Sequence, residues 1–434
     1  MDGDSNVELM AEVKILSDPV HGFVSVPVGL LYDLIKTTEV QRLRRIRQLG
    51  VGYLVFPGAE HSRFGHALGA MALMQDALHQ IKERGTPVSD EETEAAMAAA
   101  LLHDIGHGPF SHTLEHDLIG EFQHEDMSRV IMARLNERMD GRLTLSMSFF
   151  NNTAVRPFFH QLISSQLDMD RLDYLRRDAF YTGVSEGVVG VNRIIKTMQI
   201  HPLQGGPDSR VVIRSKGAYA VEAFIIARRL MYWQVYLHSA VIAGDLLLRS
   251  AFRRARDLGE RAPDAASNLM FFLRNRIDRS QIEEPDVLDH YCRLDDSDVL
   301  YSLKEWSRSS DAILTDLSRR FLDRDFLRVL FLDREPEPDM IARIERATSE
   351  WMAKRGLLGD DIRGKGTDYD YYTGVAHSSH SAYLREGPPI AILDREGRLR
   401  ELSDVADTSA IAALSEPVTK PYVFGPKEVL TSEM

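Results

Sequence analysis

Residues 101–116 read LLHDIGHGPFSHTLEH, packing His103, Asp104, His107, His112, Glu115 and His116 into one short stretch. Ser89, Asp90, Glu91 and Glu92 give the preceding helix its N-terminus, and Gly106, Gly108 and Pro109 stop it near residue 106. At such an end His103 and Asp104 can turn toward one point, which the interior of a regular helix would prevent. His103 and His107 are four apart and share a face wherever the helix persists. Imidazole with carboxylate is a borderline ligand set, suited to one divalent ion: Mn, Fe, Zn, Ni or, less tightly, Mg.

Eight of the 15 histidines lie between His61 and His124. A His-Asp pair alone is common by chance. His66 upstream and Asp170 downstream extend it to a His, His-Asp, Asp set drawn from three helices. The plainer readings are a half-buried histidine and a solvated helix charge. On the helix expected over 164–180, Asp170, Tyr174 and Asp178 step by four and form one stripe flanked by Arg171 and Arg177. An exposed helix laced with ion pairs gives the same pattern. A proline-free stretch of about 40 residues, 217–257, reads as one long helix. There Arg228, Tyr232 and Tyr236 again step by four, followed by His238. Tyrosines pack well in cores, but the planar guanidinium suits phosphate better. QRLRRIRQLG (41–50) carries Arg42, Arg44, Arg45 and Arg47, a solvated face or an anion contact, with Gln48 and Leu49 beside the support of residues 53–56.

The rest of the chain predicts a mainly α fold. Residues 14–30 read as a short hairpin or irregular opening segment. A helix follows from Leu31 to Gly50, and 51–58 read as extended and closed by Pro57-Gly58. A small β-hairpin is expected within 183–216, centred on Gly205-Gly206-Pro207-Asp208, and another in PPIAILDREGRLREL, turning at Asp394–Gly397. The texture changes after residues 334–339, giving a helical core over 1–329 and a smaller α+β domain over 330–434. The 434 residues carry 52 basic and 65 acidic side chains, a net charge of −13 that disfavours a nucleic-acid coat. One cysteine, Cys292, excludes an intrachain disulfide framework. The acidic N-terminus does not read as a secretory signal, and no apolar run approaches the ~18 residues of a membrane helix. A soluble, cytoplasmic protein with no membrane partner is expected.

Three segments in order, QRLRRIRQLGVGYLVFPGAEHSRFGHALG, LLHDIGHGPFSHTLEH and LDMDRLDYLRRDAF, closely resemble the HD-domain phosphohydrolases. Within them the chain is similar to the deoxynucleoside triphosphate triphosphohydrolases, the branch of the animal sterile-alpha-motif-and-HD-domain dNTPase and its bacterial relatives. The likeness runs from about Lys14 to about Ala251, and no sterile-alpha-motif domain is expected before it. It implies an HD helical core and these roles. His66, His103, Asp104 and Asp170 would hold the metal. His107, Glu115 and His124 would surround the attacked α-phosphate, for proton transfer and positioning. Arg63 and His112 would contact that phosphate, and Arg171, Tyr174 and Arg228 the β- and γ-phosphates. Gln48 and Asp178 would bond the sugar 3′-hydroxyl. Tyr236 would exclude a 2′-hydroxyl, with Leu49 next to the base and Tyr232 in place of a histidine near the substrate. The products would be a deoxynucleoside and inorganic triphosphate.

The resemblance also implies a homodimer or homotetramer and a regulatory nucleotide held by Lys14, Gln41, Arg44, Arg193, Arg214 and Lys216. Lys36 stands where the animal enzyme has an aspartate that reads a guanine activator, and Ser17 stands in place of an asparagine. The alternatives are an HD phosphohydrolase for another nucleotide or phosphate ester, and a non-catalytic nucleotide sensor or single-stranded nucleic-acid binder.

Overall fold

The computed structural model describes residues 12–357, 367–380, 389–405 and 418–433. The acidic residues 1–11 lie outside this range, as do 358–366 and 381–388 of the Tyr/Gly/Ser-rich stretch. The opening segment is a hairpin, with β1 (Val13–Asp18) antiparallel to β2 (Gly22–Pro27). Alternation sends Val24 and Val26 into the core and leaves Ile15 and Phe23 exposed.

The helix expected from Leu31 to Gly50 is broken. It forms α1 (Leu30–Lys36) and α2 (Thr38–Arg42), followed by a 3-10 turn, Leu43–Arg45. Thr37 between them is extended, and its hydroxyl accepts the Val40 N–H to cap α2. Residues 50–54, expected extended over most of their length, wind as another 3-10 turn, Gly50–Leu54. That loop lies hard against the 110 turn. A Cβ at Gly50 would meet the Phe110 carbonyl oxygen at 2.8 Å, and Gly50 has φ of 50°.

α3 (Arg63–Glu83) and α4 (Asp90–Leu102) form the centre. The run AAMAAALL in α4 is buried on every side, as a helix apolar all round must be. Ser89 and Glu92 build the expected capping box. α4 ends at Leu102, short of Gly106. α5 (Glu115–Leu118), α6 (His124–Arg138), α7 (Thr144–Phe150) and α8 (Phe158–Ile163) lead to α9 (Met169–Thr182). α9 starts later than expected because the Asp168 carboxylate accepts the Arg171 N–H and caps it there. α3 packs against both α4 and α9.

α10 (Val191–Thr197) occupies part of 183–216, so the expected hairpin is narrower: β3 (Met198–His201) and β4 (Arg210–Arg214). The stretch read as one long helix is two, α11 (Ala218–Met231) and α12 (Ser239–Leu258), bent by 53°. Between them Tyr232–Tyr236 form a π turn in which the Leu237 N–H reaches the Tyr232 carbonyl at 2.7 Å. His238 Nδ1 then accepts the Ala240 N–H and starts α12. Among the described residues no single helix is long and apolar enough to cross a membrane.

α13 (Ser267–Arg274), α14 (Pro285–Tyr291), α15 (Asp296–Trp306) and α16 (Ala312–Leu322) complete the helical part. β5 (Arg328–Phe331), α17 (Pro338–Lys354) and β6 (Gly374–His380) follow. β7 (Ala391–Leu393) and β8 (Leu399–Glu401) make the second expected hairpin, and β9 (Val418–Gly425) closes the last sheet in the order β5-β9-β6. β7 also pairs in parallel with β4, Val212 opposite Ala391, so the two hairpins share one sheet. The fold is mainly α with small sheets at its margin.

Candidate active site

The turn after α4 is held from beneath. Fully buried Arg42 donates to the carbonyls of Ile105 and His107 at 2.9 Å and of Leu294 at 3.0 Å. Tyr291 donates its hydroxyl to the Gly106 carbonyl, and Ser128 Oγ accepts the Gly106 N–H. A Cβ at Gly106 would lie 2.1 Å from the His124 carbonyl oxygen, so glycine is required by the approach of α6. Arg42, counted among four arginines that face solvent or an anion, is instead a carbonyl clamp. Its neighbours divide: Arg45 pairs with Asp295, Arg47 with Glu60 and Asp296, and Arg44 stacks on Phe64.

This turn, α3 and α9 bring four ligand groups together. His66, His103, Asp104 and Asp170 each place a donor atom within 4.8 Å of the others. His66 Nε2 lies 3.3 Å from His103 Nε2, 3.1 Å from Asp170 Oδ1 and 3.6 Å from Asp104 Oδ2. His103 Nε2 is 3.4 Å from Asp104 Oδ1 and 3.5 Å from Asp170 Oδ1. The far nitrogens of both rings are engaged: His66 Nδ1 with Asp173 Oδ2 at 2.7 Å, His103 Nδ1 with the Ala100 carbonyl at 2.7 Å. Such outer bonds fix the tautomer that leaves Nε2 with a lone pair. Burial opposes charge on His66, but hydrogen bonds to Asp170 and Asp173 outweigh it and lift its pKa to about 10. A divalent ion would displace that proton from Nε2, and two imidazoles with two carboxylates fit one.

His107 does not share a face with His103, because the helix has already ended. It turns into a second group, its ring centroid 3.7 Å from that of His124 and 4.9 Å from that of His112. Burial and the Arg63 charge push its pKa well below the usual imidazole range. Glu115 joins this group, accepting from His112 Nδ1 at 2.8 Å, His124 Nδ1 at 3.1 Å and the His124 backbone N–H at 2.6 Å. Burial raises the Glu115 pKa, yet the two imidazoles overcome it and hold the carboxyl well below its ordinary value. Arg63 sits between the groups, in close contact with Asp104 and donating to Ser111 Oγ.

Beyond Asp170 the stripe on α9 meets the stripe on α11 and the π turn. Tyr174 is surrounded by Arg228, Tyr232, Arg171 and Asp170, and burial raises its hydroxyl pKa. Arg171 donates to the Ser165 carbonyl and to Asp168. Tyr236 packs edge-on against Tyr174 and donates to Asp178 Oδ2 at 2.6 Å. Asp178 Oδ1 is 2.7 Å from His61 Nε2. A cavity of about 270 Å3 opens next to this wall, lined by Gln48, Leu49, His112, Tyr236, Thr113 and Asp245 among others. The Gln48 Oε1 is buried there with no protein partner.

Residues 63–178 match the HD domain, and residues 189–270 match the HD associated region. A solved phosphohydrolase (BT4208) from Bacteroides thetaiotaomicron VPI-5482 superposes with a TM-score of 0.89 at 40% identity, covering 96% of this chain and all of that one. The chain belongs to the HD-domain phosphohydrolases. It is 36% identical over 408 residues to YwfO of Bacillus subtilis (strain 168), 91% of this chain and 88% of that one. It is 29% identical over 273 residues to a deoxynucleoside triphosphate triphosphohydrolase SAMHD1 homolog of Dictyostelium discoideum, 58% of this chain and 52% of that protein.

Several residues of this phosphohydrolase site carry no role in the sequence reading. Asp173, fully buried behind His66, reads on paper as half of an i,i+4 pair with Arg177. His61 counts toward the histidine cluster without a partner. Asp296 accepts the backbone N–H groups of Phe110 and Arg47, and burial pushes its pKa up to about 6 despite those bonds. It pins Phe110 at φ 54°, a partner about 190 residues away that no local pattern reveals. The candidate regulatory residues make these contacts within the chain. Lys14 pairs with Glu12, and Gln41 bonds the Ile35 carbonyl and Arg44. Arg193 donates to the Lys216 carbonyl beside Arg214 at the end of β4.

Proposed function

We propose that this HD phosphohydrolase is a metal-dependent dNTP triphosphohydrolase, cleaving a dNTP to deoxynucleoside and inorganic triphosphate. The observation that carries the reading is the order of the parts. A metal-type quartet is followed along α9 and α11 by Arg171, Tyr174 and Arg228. A tyrosine–carboxylate pair, Tyr236 with Asp178, then stands next to a cavity of nucleoside scale. The dNTPase name of the Dictyostelium relative supports the same substrate class.

A bound divalent ion would polarise a phosphoryl oxygen and acidify a water. The chain's own residues do the rest. Arg171 and Arg228 hold the β- and γ-phosphate oxygens, and Tyr174 donates its hydroxyl between them. Arg63 and His112 face the α-phosphate. His107 and His124, with Glu115 fixing the His124 ring, move protons there. Gln48 and Asp178 take the 3′-hydroxyl, and the Tyr236 ring fills the space a 2′-hydroxyl needs. Leu49 packs against the base, and Tyr232 closes the wall between Tyr174 and Tyr236.

We extend the reading to a homodimer or homotetramer with an activating nucleotide. The exposed α11 face Tyr219, Ala223, Ile226 and Leu230 carries no charge and suits burial against another copy. The protein is assigned to the cytoplasm. The test is product analysis with each dNTP, alone and in pairs, under Mg, Mn, Fe and Co. Inorganic triphosphate with the matching deoxynucleoside is expected. Turnover confined to monoesters or cyclic diesters would replace dNTPs as the substrate class.

A further inference from the structure

We propose that the tip of the N-terminal hairpin belongs to the metal centre, with His21 and Asp173 as positioning residues for His66. The inference rests on the metal-centre reading of the quartet.

The Asp173 carboxylate is fully buried and saturated. Its Oδ2 pairs with His66 Nδ1 at 2.7 Å and accepts from Arg177 Nε at 2.9 Å. Its Oδ1 pairs with His21 Nε2 at 2.6 Å and accepts from Arg177 Nη2 at 3.1 Å. Each oxygen thus serves one imidazole and one guanidinium nitrogen, and the orientation of one histidine constrains the other. Arg177 continues to the hairpin, donating from Nη1 to Asp18 Oδ2 at 2.8 Å and from Nη2 to Asp18 Oδ1 at 3.2 Å. Asp18 Oδ1 also accepts the N–H groups of Val20 and His21 at 2.9 Å, which folds the turn that presents His21.

The turn is therefore latched twice, by His21 onto Asp173 and by Asp18 onto Arg177. Space for both latches exists because α3 carries glycine where it crosses α9. A Cβ at Gly69 would lie 1.9 Å from Asp173 Oδ1, and one at Gly65 would lie 3.2 Å from Arg177 Nη1. Nothing in the folding of a two-stranded hairpin demands this arrangement; its consequence falls on His66. While Asp173 accepts from Nδ1, His66 presents the Nε2 lone pair to the centre. Without His21, Asp173 Oδ1 keeps only Arg177 as a partner, and the carboxylate holds the His66 ring less firmly. Partners of this outer kind change metal affinity by about 10–100-fold.

The experiment uses the full chain with Co2+ as probe, reading affinity by competition with a chromophoric chelator and geometry by the visible absorption bands. The proteins are wild type, His21→Ala, His21→Gln, Asp173→Asn and Asp170→Ala. Wild type is expected to bind Co2+ and Asp170→Ala to lose it. His21→Ala should bind 10–100-fold more weakly with shifted bands, while the metal-free protein keeps its circular dichroism. His21→Gln, whose amide N–H can still donate to Asp173, should recover most of the affinity. A cover with no bearing on the metal would move neither the bands nor the rescue. A folded His21→Ala with wild-type bands and affinity within twofold overturns the proposal. Should that variant not fold, Asp173→Asn decides on the same criteria. Wild type that binds no Co2+ removes the metal-centre reading itself, and this inference with it.

Discussion

Replacing Arg42 with leucine separates the fold of the site from its chemistry, because Arg42 touches no ligand atom. Its guanidinium is fully buried and donates to three carbonyls, two of which, Ile105 and His107, bracket the turn just after His103 and Asp104. Leucine fills part of the volume and leaves those acceptors without this donor. Each stranded buried acceptor costs about 1–3 kcal/mol. Relief of the guanidinium's own desolvation offsets part of the sum. A net loss of about 3–5 kcal/mol of local stability follows. The turn should then open more often than the rest of the molecule. Hydrogen exchange resolved over residues 101–112 would report it as faster exchange there, with a lower denaturation midpoint. Metal content should fall as well, although all four ligands remain. Arg42→Lys should be intermediate, since an ammonium cannot reach three divergent carbonyls. Arg42→Leu with wild-type exchange at the turn and full metal content would refute the clamp.

Three further outcomes are expected. Asp170→Ala, and separately His103→Ala with Asp104→Ala, should abolish hydrolysis and lower metal content by elemental analysis without unfolding the chain; full turnover with full metal would remove the ligand assignment. Tyr236→Ala should relax the preference for dNTP over rNTP in kcat/KM, whereas Tyr236→Phe, which keeps the ring and loses only the bond to Asp178, should retain most of it. Rejection of one added hydroxyl by packing is worth about 100-fold, so an unchanged ratio in the alanine variant would argue against steric selection. Gly69→Ala should cost at least ~1–3 kcal/mol by overpacking against Asp173 and Arg177, read as a lower melting temperature; a melting temperature equal to wild type would mean that the α3–α9 contact gives way freely.

The quartet is legible in the sequence because metal chemistry restricts residue types so strongly. A His-Asp pair where a helix ends, among eight histidines between His61 and His124, points to a metal or acid-base site more than to composition. The stripes Asp170–Tyr174–Asp178 and Arg228–Tyr232–Tyr236 are legible because helical spacing survives tertiary folding. Breaks in helices are harder to see. Thr37 ends one helix and caps the next without any proline or glycine, and the π turn at Tyr232–Tyr236 likewise lies in a run with neither. Gly106 reads as a helix stop, yet its requirement comes from the backbone of α6, which only the folded chain brings near. Asp173, His21, Asp296 and Arg42 stay hidden for a common reason. The partners that give them their place are 63 to 252 residues away, and a linear reading shows at most a local pair, such as Asp173 with Arg177, that looks solvated.

Hydrolysis of a dNTP in 18O-enriched water tests the central claim most directly. With attack on the α-phosphorus at the His66, His103, Asp104 and Asp170 centre, mass spectrometry should find one 18O in the inorganic triphosphate and none in the deoxynucleoside, with both products absent in Asp170→Ala. Orthophosphate or pyrophosphate as the labelled product, or label in the deoxynucleoside, would contradict it.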